Sequence, residues 1–196
     1  MNAPTQDTIY DAVVVGGGPS GATIAKDLAD SGRRVLLLDR AGRIKPCGGA
    51  VPPRLLKDFE VPHSLLVARA RSARMIAPSD RKVDMPVGEI GYVGMVDRDV
   101  FDEWLRNRAA EAGAERRTGT FERIARDEAG SSVCYKESRD GEMQQVRTRL
   151  VIGADGARSK VAAQNIEGAE RMKCVFAYHE IIKSPANDTP GYDRDA

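Results

Sequence analysis

Residues 10–21 read Tyr10-Asp11-Ala12-Val13-Val14-Val15-Gly16-Gly17-Gly18-Pro19-Ser20-Gly21, a short apolar run that breaks off into glycines. Four consecutive apolar residues, Ala12 to Val15, suit a parallel strand buried on both faces. Beyond the glycines, Ala22, Ala25, Leu28 and Ala29 recur at helical spacing, and Ser31-Gly32 stands where such a helix would be capped. A second apolar run, Val35 to Leu38, follows. Strand, helix and strand within about thirty residues is the size of a βαβ unit.

In that setting the pattern Gly16-x-Gly18-x-x-Gly21 acquires a physical reading. Gly16 permits the tight turn out of the strand, Gly18 lets the backbone approach a pyrophosphate, and Gly21 lets helix and strand pack closely. Gly17, Pro19 and Ser20 complete a loop whose amides face the phosphates at the positive end of the helix dipole. The second strand ends in Asp39, placed to accept hydrogen bonds from a ribose. A carboxylate there repels the 2′-phosphate of NADP, so the loop is expected to take FAD or NAD. Arg40 next to it blunts that argument, unless it is a solvated surface arginine.

The rest of the chain reads as mixed α/β. Residues 41–53 are rich in Gly and Pro and predict an irregular loop, of a length that is usually functional. Phe101, Trp104, Leu105, Ala109 and Ala112 mark the packed face of a helix that Asp97 or Asp99 could cap and Gly113 could stop. Stretches around Ser132–Tyr135 and Met143–Val146 flank the turn Arg139-Asp140-Gly141 and predict a hairpin. Leu150-Val151-Ile152-Gly153-Ala154 predicts a further buried strand, Ser159 the cap of a short helix, and Val175–Ile182 a last strand. Thirty basic and 29 acidic residues leave a net charge of +1, so nucleic acid is not an expected partner. The N-terminus lacks the pattern of a signal peptide and no apolar run is long enough to span a bilayer, so a cytoplasmic location is expected. Cys47, Cys134 and Cys174 form no CxxC pair, and no metal site is expected. Cys134 and Cys174 fall in strand patterns and are expected to be buried. His63 is expected at the surface, and His179 either packs in the last strand or faces a substrate cavity.

Five further segments carry a family resemblance. Gly153-Ala154-Asp155-Gly156-Ala157-Arg158-Ser159 resembles the second fingerprint of the FAD-dependent hydroxylase and reductase superfamily. Lys45-Pro46-Cys47-Gly48-Gly49-Ala50-Val51-Pro52 is similar to the KPCGG segment of the geranylgeranyl reductases within it. Met75–Ser79, Tyr92–Arg98 and Phe176–Glu180 resemble the same family.

The resemblance implies FAD as the bound cofactor, with Asp155-Gly156 reaching its pyrophosphate and ribitol region and Arg98 near its phosphates; for Arg98 a surface salt bridge is the competing reading. It implies that Cys47, with Gly48 and Gly49, lies beside flavin and substrate, where the thiol could donate a proton; a small loop-packing residue is the alternative for Cys47. NADPH is the implied reductant, and the substrate is geranylgeranyl diphosphate or geranylgeranyl-(bacterio)chlorophyll, whose lipid tail implies peripheral contact with a photosynthetic membrane. The expected architecture is a Rossmann-like FAD-binding domain over 1–165, with a substrate-domain excursion near 70–95. Residues 166–196 would then be the truncated start of a mixed-sheet substrate domain. An aromatic hydroxylase shares both glycine motifs, and a non-catalytic flavin-binding fragment is the reading from a different class.

Overall fold

The computed structural model describes residues 8–40, 44, 47–128, 130–178, 180, 183, 185, 189 and 190. Strand β1 (Ile9–Val15), helix α1 (Pro19–Asp30) and strand β2 (Val35–Asp39) form the βαβ unit at the start. Then come β3 (Ala50–Val51), α2 (Pro53–Asp58), β4 (Leu66–Ala70), β5 (Ser72–Ile76), β6 (Lys82–Pro86), β7 (Val93–Val96) and α3 (Arg98–Glu111). The remaining elements are β8 (Glu115–Thr118), β9 (Thr120–Asp127), β10 (Gly130–Lys136), β11 (Met143–Gly153) and α4 (Lys160–Asn165). The chain divides into two compact units, Met1–Arg43 with Asp102–Phe176, and Ile44–Phe101 with Ala177–Ala196.

The first unit is built on a six-stranded sheet in the order β8-β2-β1-β11-β10-β9. Its first four strands run parallel, and β10 and β9 continue it antiparallel. Val13, Val14, Leu36 and Leu37 are fully buried, as expected of strands covered on both faces. Small residues on α1, Gly21, Ala22 and Ala25, let that helix lie close to the sheet. Helix α1 ends as its sequence predicts: Gly32 takes a left-handed φ of 75°, and its amide and that of Arg33 donate to the carbonyls of Ala29 and Leu28. From α3, Leu105 and Ala109 are buried in this unit.

The second unit contains a three-stranded antiparallel sheet, β3-β7-β4, and a separate two-stranded ribbon, β5-β6. Leu56 of α2 and Leu66 of β4 close over Gly94 of β7, where an added Cβ would meet both side chains.

Four details depart from expectation. The hairpin arm at Met143 and the run at Leu150 are one strand, because β11 pairs antiparallel with β10 over its first half and parallel with β1 over its second. Pairing on alternate edges keeps its backbone satisfied through the polar stretch Arg147-Thr148-Arg149. The run Leu150–Ala154 is not the buried strand expected: Leu150 is half exposed at 53%, Gly153 is exposed, and Val151, Ile152 and Ala154 are only partly buried. Within the stretch 41–53 expected as a loop, Ala50-Val51 form a short strand, which pairs with Met95 and Gly94. Val175 to Tyr178 form no strand: without a pairing partner their side chains stand in solvent, and Cys174 beside them is exposed, whereas Cys134 is buried as expected. The remainder of that expected strand lies largely outside the described residues.

Candidate nucleotide site

Three strands of the first unit end side by side. Val15 is in register with Leu38 on one flank and Gly153 on the other. The Gly16 amide donates to the Leu38 carbonyl and the Ala154 amide to the Val15 carbonyl, each at 2.8 Å. The two glycine motifs, more than a hundred positions apart in sequence, therefore leave the sheet at one edge. They interlock there: a Cβ on Gly16 would run into the Ala154 carbonyl, and a Cβ on Gly21 into the Gly16 carbonyl and then Ala154. Gly16 also adopts a φ of 106°, which side chains resist.

Gly18 differs from both. Its φ is −74°, open to any residue, and a Cβ there would meet nothing within 4 Å. Neither conformation nor packing within the protein requires glycine at this position. Gly18 is the N-cap of α1, with Pro19 and Ser20 opening the helix; no side chain caps it and its first turn holds no acidic residue. Open space, bare backbone and an uncapped helix N-terminus together suit an anionic diphosphate.

At the end of β2, Asp39 lies over Gly17, where an added Cβ would come within 2.8 Å of its carboxylate. Arg106 of α3 joins them, its Nη1 donating to the Gly17 carbonyl at 3.1 Å and to Asp39 Oδ2 at 3.3 Å. Its Nε donates to Glu103 at 2.9 Å, and Glu103 is gripped in turn by Arg116 at 2.9 and 3.0 Å. The hydrogen bond from Arg116 does most to hold the Glu103 carboxyl below its ordinary pKa; burial opposes it, and the hydrogen bond from Arg106 adds to the lowering. Arg40 is exposed. Arg106 escaped the sequence reading because its partners lie 89 and 67 positions away. The one local sign is its spacing from Glu103, three residues earlier on the same helix.

In the second motif, Gly156 takes a φ of 89° and Asp155 turns its side chain toward α4. One oxygen accepts the Ser159 hydroxyl, and the other accepts the amides of Lys160 at 2.7 Å and Val161 at 3.3 Å. Ser159 caps the helix as expected, accepting the Ala162 amide at 2.9 Å. The carboxylate of Asp155 thus orders the turn after β11.

Cys47, Gly48, Gly49 and Arg98 belong to the second unit. Cys47 is exposed. Gly49 is buried with a φ of 71°, and its missing side chain lets the Val96 carbonyl approach; the Val96 amide donates to the Gly49 carbonyl at 3.0 Å. Arg98 opens α3. His63 is exposed and meets the Tyr92 hydroxyl at 3.3 Å, while Lys45, Pro46 and His179 lie outside the described residues. Among the described residues, no group of three or more His, Cys, Asp or Glu side chains could hold a metal ion, and no helix is long and apolar enough to cross a membrane.

A second arginine network rests on two core tyrosines of the first unit and ends on a partly exposed carboxylate. Arg117 donates to the hydroxyls of Tyr10 at 3.0 Å and Tyr135 at 3.2 Å and to Glu115 at 2.7 Å, and Tyr10 donates to Glu115. Burial, followed by the hydrogen bond to Glu115, pushes the Tyr10 phenol well above its ordinary pKa.

Comparison with known proteins supplies the family context. The FAD binding domain family matches residues 9–176. The chain is 59% identical over 176 residues to the geranylgeranyl diphosphate reductase of Rhodobacter capsulatus, covering 90% of this chain and 44% of that one. It is 36% identical over 161 residues to a digeranylgeranylglycerophospholipid reductase of Methanosarcina acetivorans, covering 78% and 39%. Among solved structures, a geranylgeranyl bacteriochlorophyll reductase-like protein of Thermoplasma acidophilum superposes with a TM-score of 0.72 at 26% identity, covering 82% and 43%. The chain spans less than half the length of each of these relatives.

Proposed function

The chain belongs to the FAD-binding domain family, and from that premise we propose that it works in an FAD-dependent reductase that saturates double bonds of a geranylgeranyl group. The observation that carries this reading is the 59% identity to the Rhodobacter capsulatus geranylgeranyl diphosphate reductase over 176 residues. The site fits the cofactor by its own chemistry. Gly18 leaves room for a diphosphate against the N-terminus of α1. Asp39 offers a carboxylate to the ribose hydroxyls. The turn at Asp155-Gly156 leaves the sheet beside Gly16.

FAD, when bound, supplies the redox chemistry, accepting electrons from NADPH and passing them to the alkene. Arg98 is assigned to the cofactor phosphates. The exposed Cys47 thiol, in the loop with Gly48 and Gly49, is assigned to the proton that the second alkene carbon requires. The substrate is geranylgeranyl diphosphate or geranylgeranyl-(bacterio)chlorophyll, and the long apolar tail of either favours work at a membrane surface.

The purified protein is expected to show a flavin visible spectrum and to oxidise NADPH when given geranylgeranyl diphosphate or geranylgeranyl-(bacterio)chlorophyll under nitrogen. Mass spectrometry should find a product heavier by whole pairs of hydrogens. Turnover of a digeranylgeranyl glycerophospholipid alone would move the substrate to the membrane lipids. Oxygen consumption with an aromatic substrate would make the protein a hydroxylase. A colourless protein inert toward NADPH would sink the reductase reading.

A further inference from the structure

We propose that Arg106 is the positioning residue of the adenosine end of the site, holding Asp39 where its carboxylate meets the ribose; this rests on the FAD reading above and extends it to a residue outside every recognised motif. An aspartate at a strand end has several staggered orientations, and only one that points along the loop edge serves a ribose. Two features remove the others. Gly17 lacks the Cβ that would strike Asp39, so the carboxylate can lie down over the loop. One nitrogen of Arg106 then bridges that carboxylate and the Gly17 carbonyl, at 3.3 and 3.1 Å, fixing the side chain and the loop to each other.

Arg106 is itself held. Its Nε is engaged by Glu103, which Arg116 grips with both terminal nitrogens, so the planar guanidinium is locked before any ligand arrives. Its side chain is 20% exposed and that of Asp39 is 29% exposed, which shelters the pair while leaving the carboxylate reachable. Lysine would not replace it, because a single ammonium on a flexible stem lacks the fork that serves three acceptors in one plane. A site organised in this way spends less conformational freedom on closing around the nucleotide.

The test compares FAD with its analogue lacking the adenosine 2′-hydroxyl, each titrated by flavin fluorescence into the full chain. The wild type should prefer FAD by about tenfold, the value of a hydrogen bond to a charged acceptor. In Arg106→Ala the preference should fall toward one, and Arg106→Ala added to Asp39→Asn should change affinity by less than about twofold, since both act on the same contact. Arg106→Lys should keep the wild-type melting temperature and still lose the preference; it decides the matter if Arg106→Ala fails to fold. A purely structural Arg106 would weaken both ligands alike and leave the preference intact, and that result, or losses that simply add, overturns the proposal. Wild-type protein that binds neither compound overturns the FAD reading itself, and this inference with it.

Discussion

Two arginines in the first unit hold carboxylates with nearly the same shielding, Arg117 at 18% side-chain exposure and Arg106 at 20%, yet they do different work. Arg117 reaches inward: although its carboxylate partner Glu115 is partly exposed, its other partners are the hydroxyls of Tyr10 and Tyr135, both within the core. Arg106 holds the backbone of a glycine loop and an aspartate at the sheet edge, next to the open space at Gly18. A network that ends on buried phenols suits stability, whereas one that ends at the open backbone of Gly18 is the one we assign to a ligand. The same distinction divides the glycines of the loop. Gly16 and Gly21 face protein backbone, and Gly18 faces nothing.

Gly21→Ala should have the largest effect. The added methyl would run into the Gly16 carbonyl, which is fixed in the turn, so relief requires moving α1 off the sheet. A loss of about 3 kcal/mol or more is expected, read as a lowered urea midpoint. A variant as stable as wild type would show that the loop and helix are not interlocked. Tyr10→Phe comes next. It removes a hydroxyl bonded to both Glu115 and Arg117 in a buried setting, at an expected cost of about 1–3 kcal/mol in stability with FAD affinity unchanged. Gly18→Ala should do the reverse. Its melting temperature should stay at the wild-type value while FAD affinity falls by at least about 1.4 kcal/mol, or tenfold. If stability and affinity moved together in these two variants, the division between closed and open networks would fail.

How much of this was legible in the sequence depended on the range of the interaction. The βαβ unit, the cap at Gly32, the helix face of Phe101, Leu105 and Ala109 and the cap at Ser159 follow from patterns a few residues long, and each is present. Both glycine motifs were visible, and so was Asp39. The separate duties of Gly16, Gly18 and Gly21 were legible too; what local pattern could not supply was that Ala154, far along the chain, packs against both Gly16 and Gly21. The roles of Arg106 and Arg117 were invisible for the same reason: beyond the neighbouring Glu103 and Glu115, their partners Gly17, Asp39, Tyr10 and Tyr135 arrive through the fold. Cys174 and Val175–Tyr178 form a continuous apolar run, and such a run is a strand only where a neighbour pairs with it.

The pH dependence of stability separates the two networks most finely. Tyr10 has a raised pKa in the folded state, so its contribution is complete below the ordinary tyrosine value of about 10 and is lost as pH climbs beyond it, when the unfolded chain ionises first. Glu103, lowered chiefly by its hydrogen bond to Arg116, behaves oppositely: its contribution is present above the ordinary carboxyl value of about 4.3 and fades as pH falls toward the folded value. The closed network should therefore shape the alkaline limb of a stability curve and the edge network the acid limb. Glu103 is nearly half exposed at 46%, so solvent screening limits its share to about 0.5 kcal/mol. Urea midpoints measured across pH for wild type, Tyr10→Phe and Glu103→Gln should show Tyr10→Phe flattening the curve above about pH 10 and Glu103→Gln flattening it below about pH 4. An acid limb unchanged in Glu103→Gln would mean that Arg116 and Arg106 hold the carboxylate no better than water does, and the rigidity assigned to the edge network would then have to come from the Gly17 carbonyl and Asp39 alone.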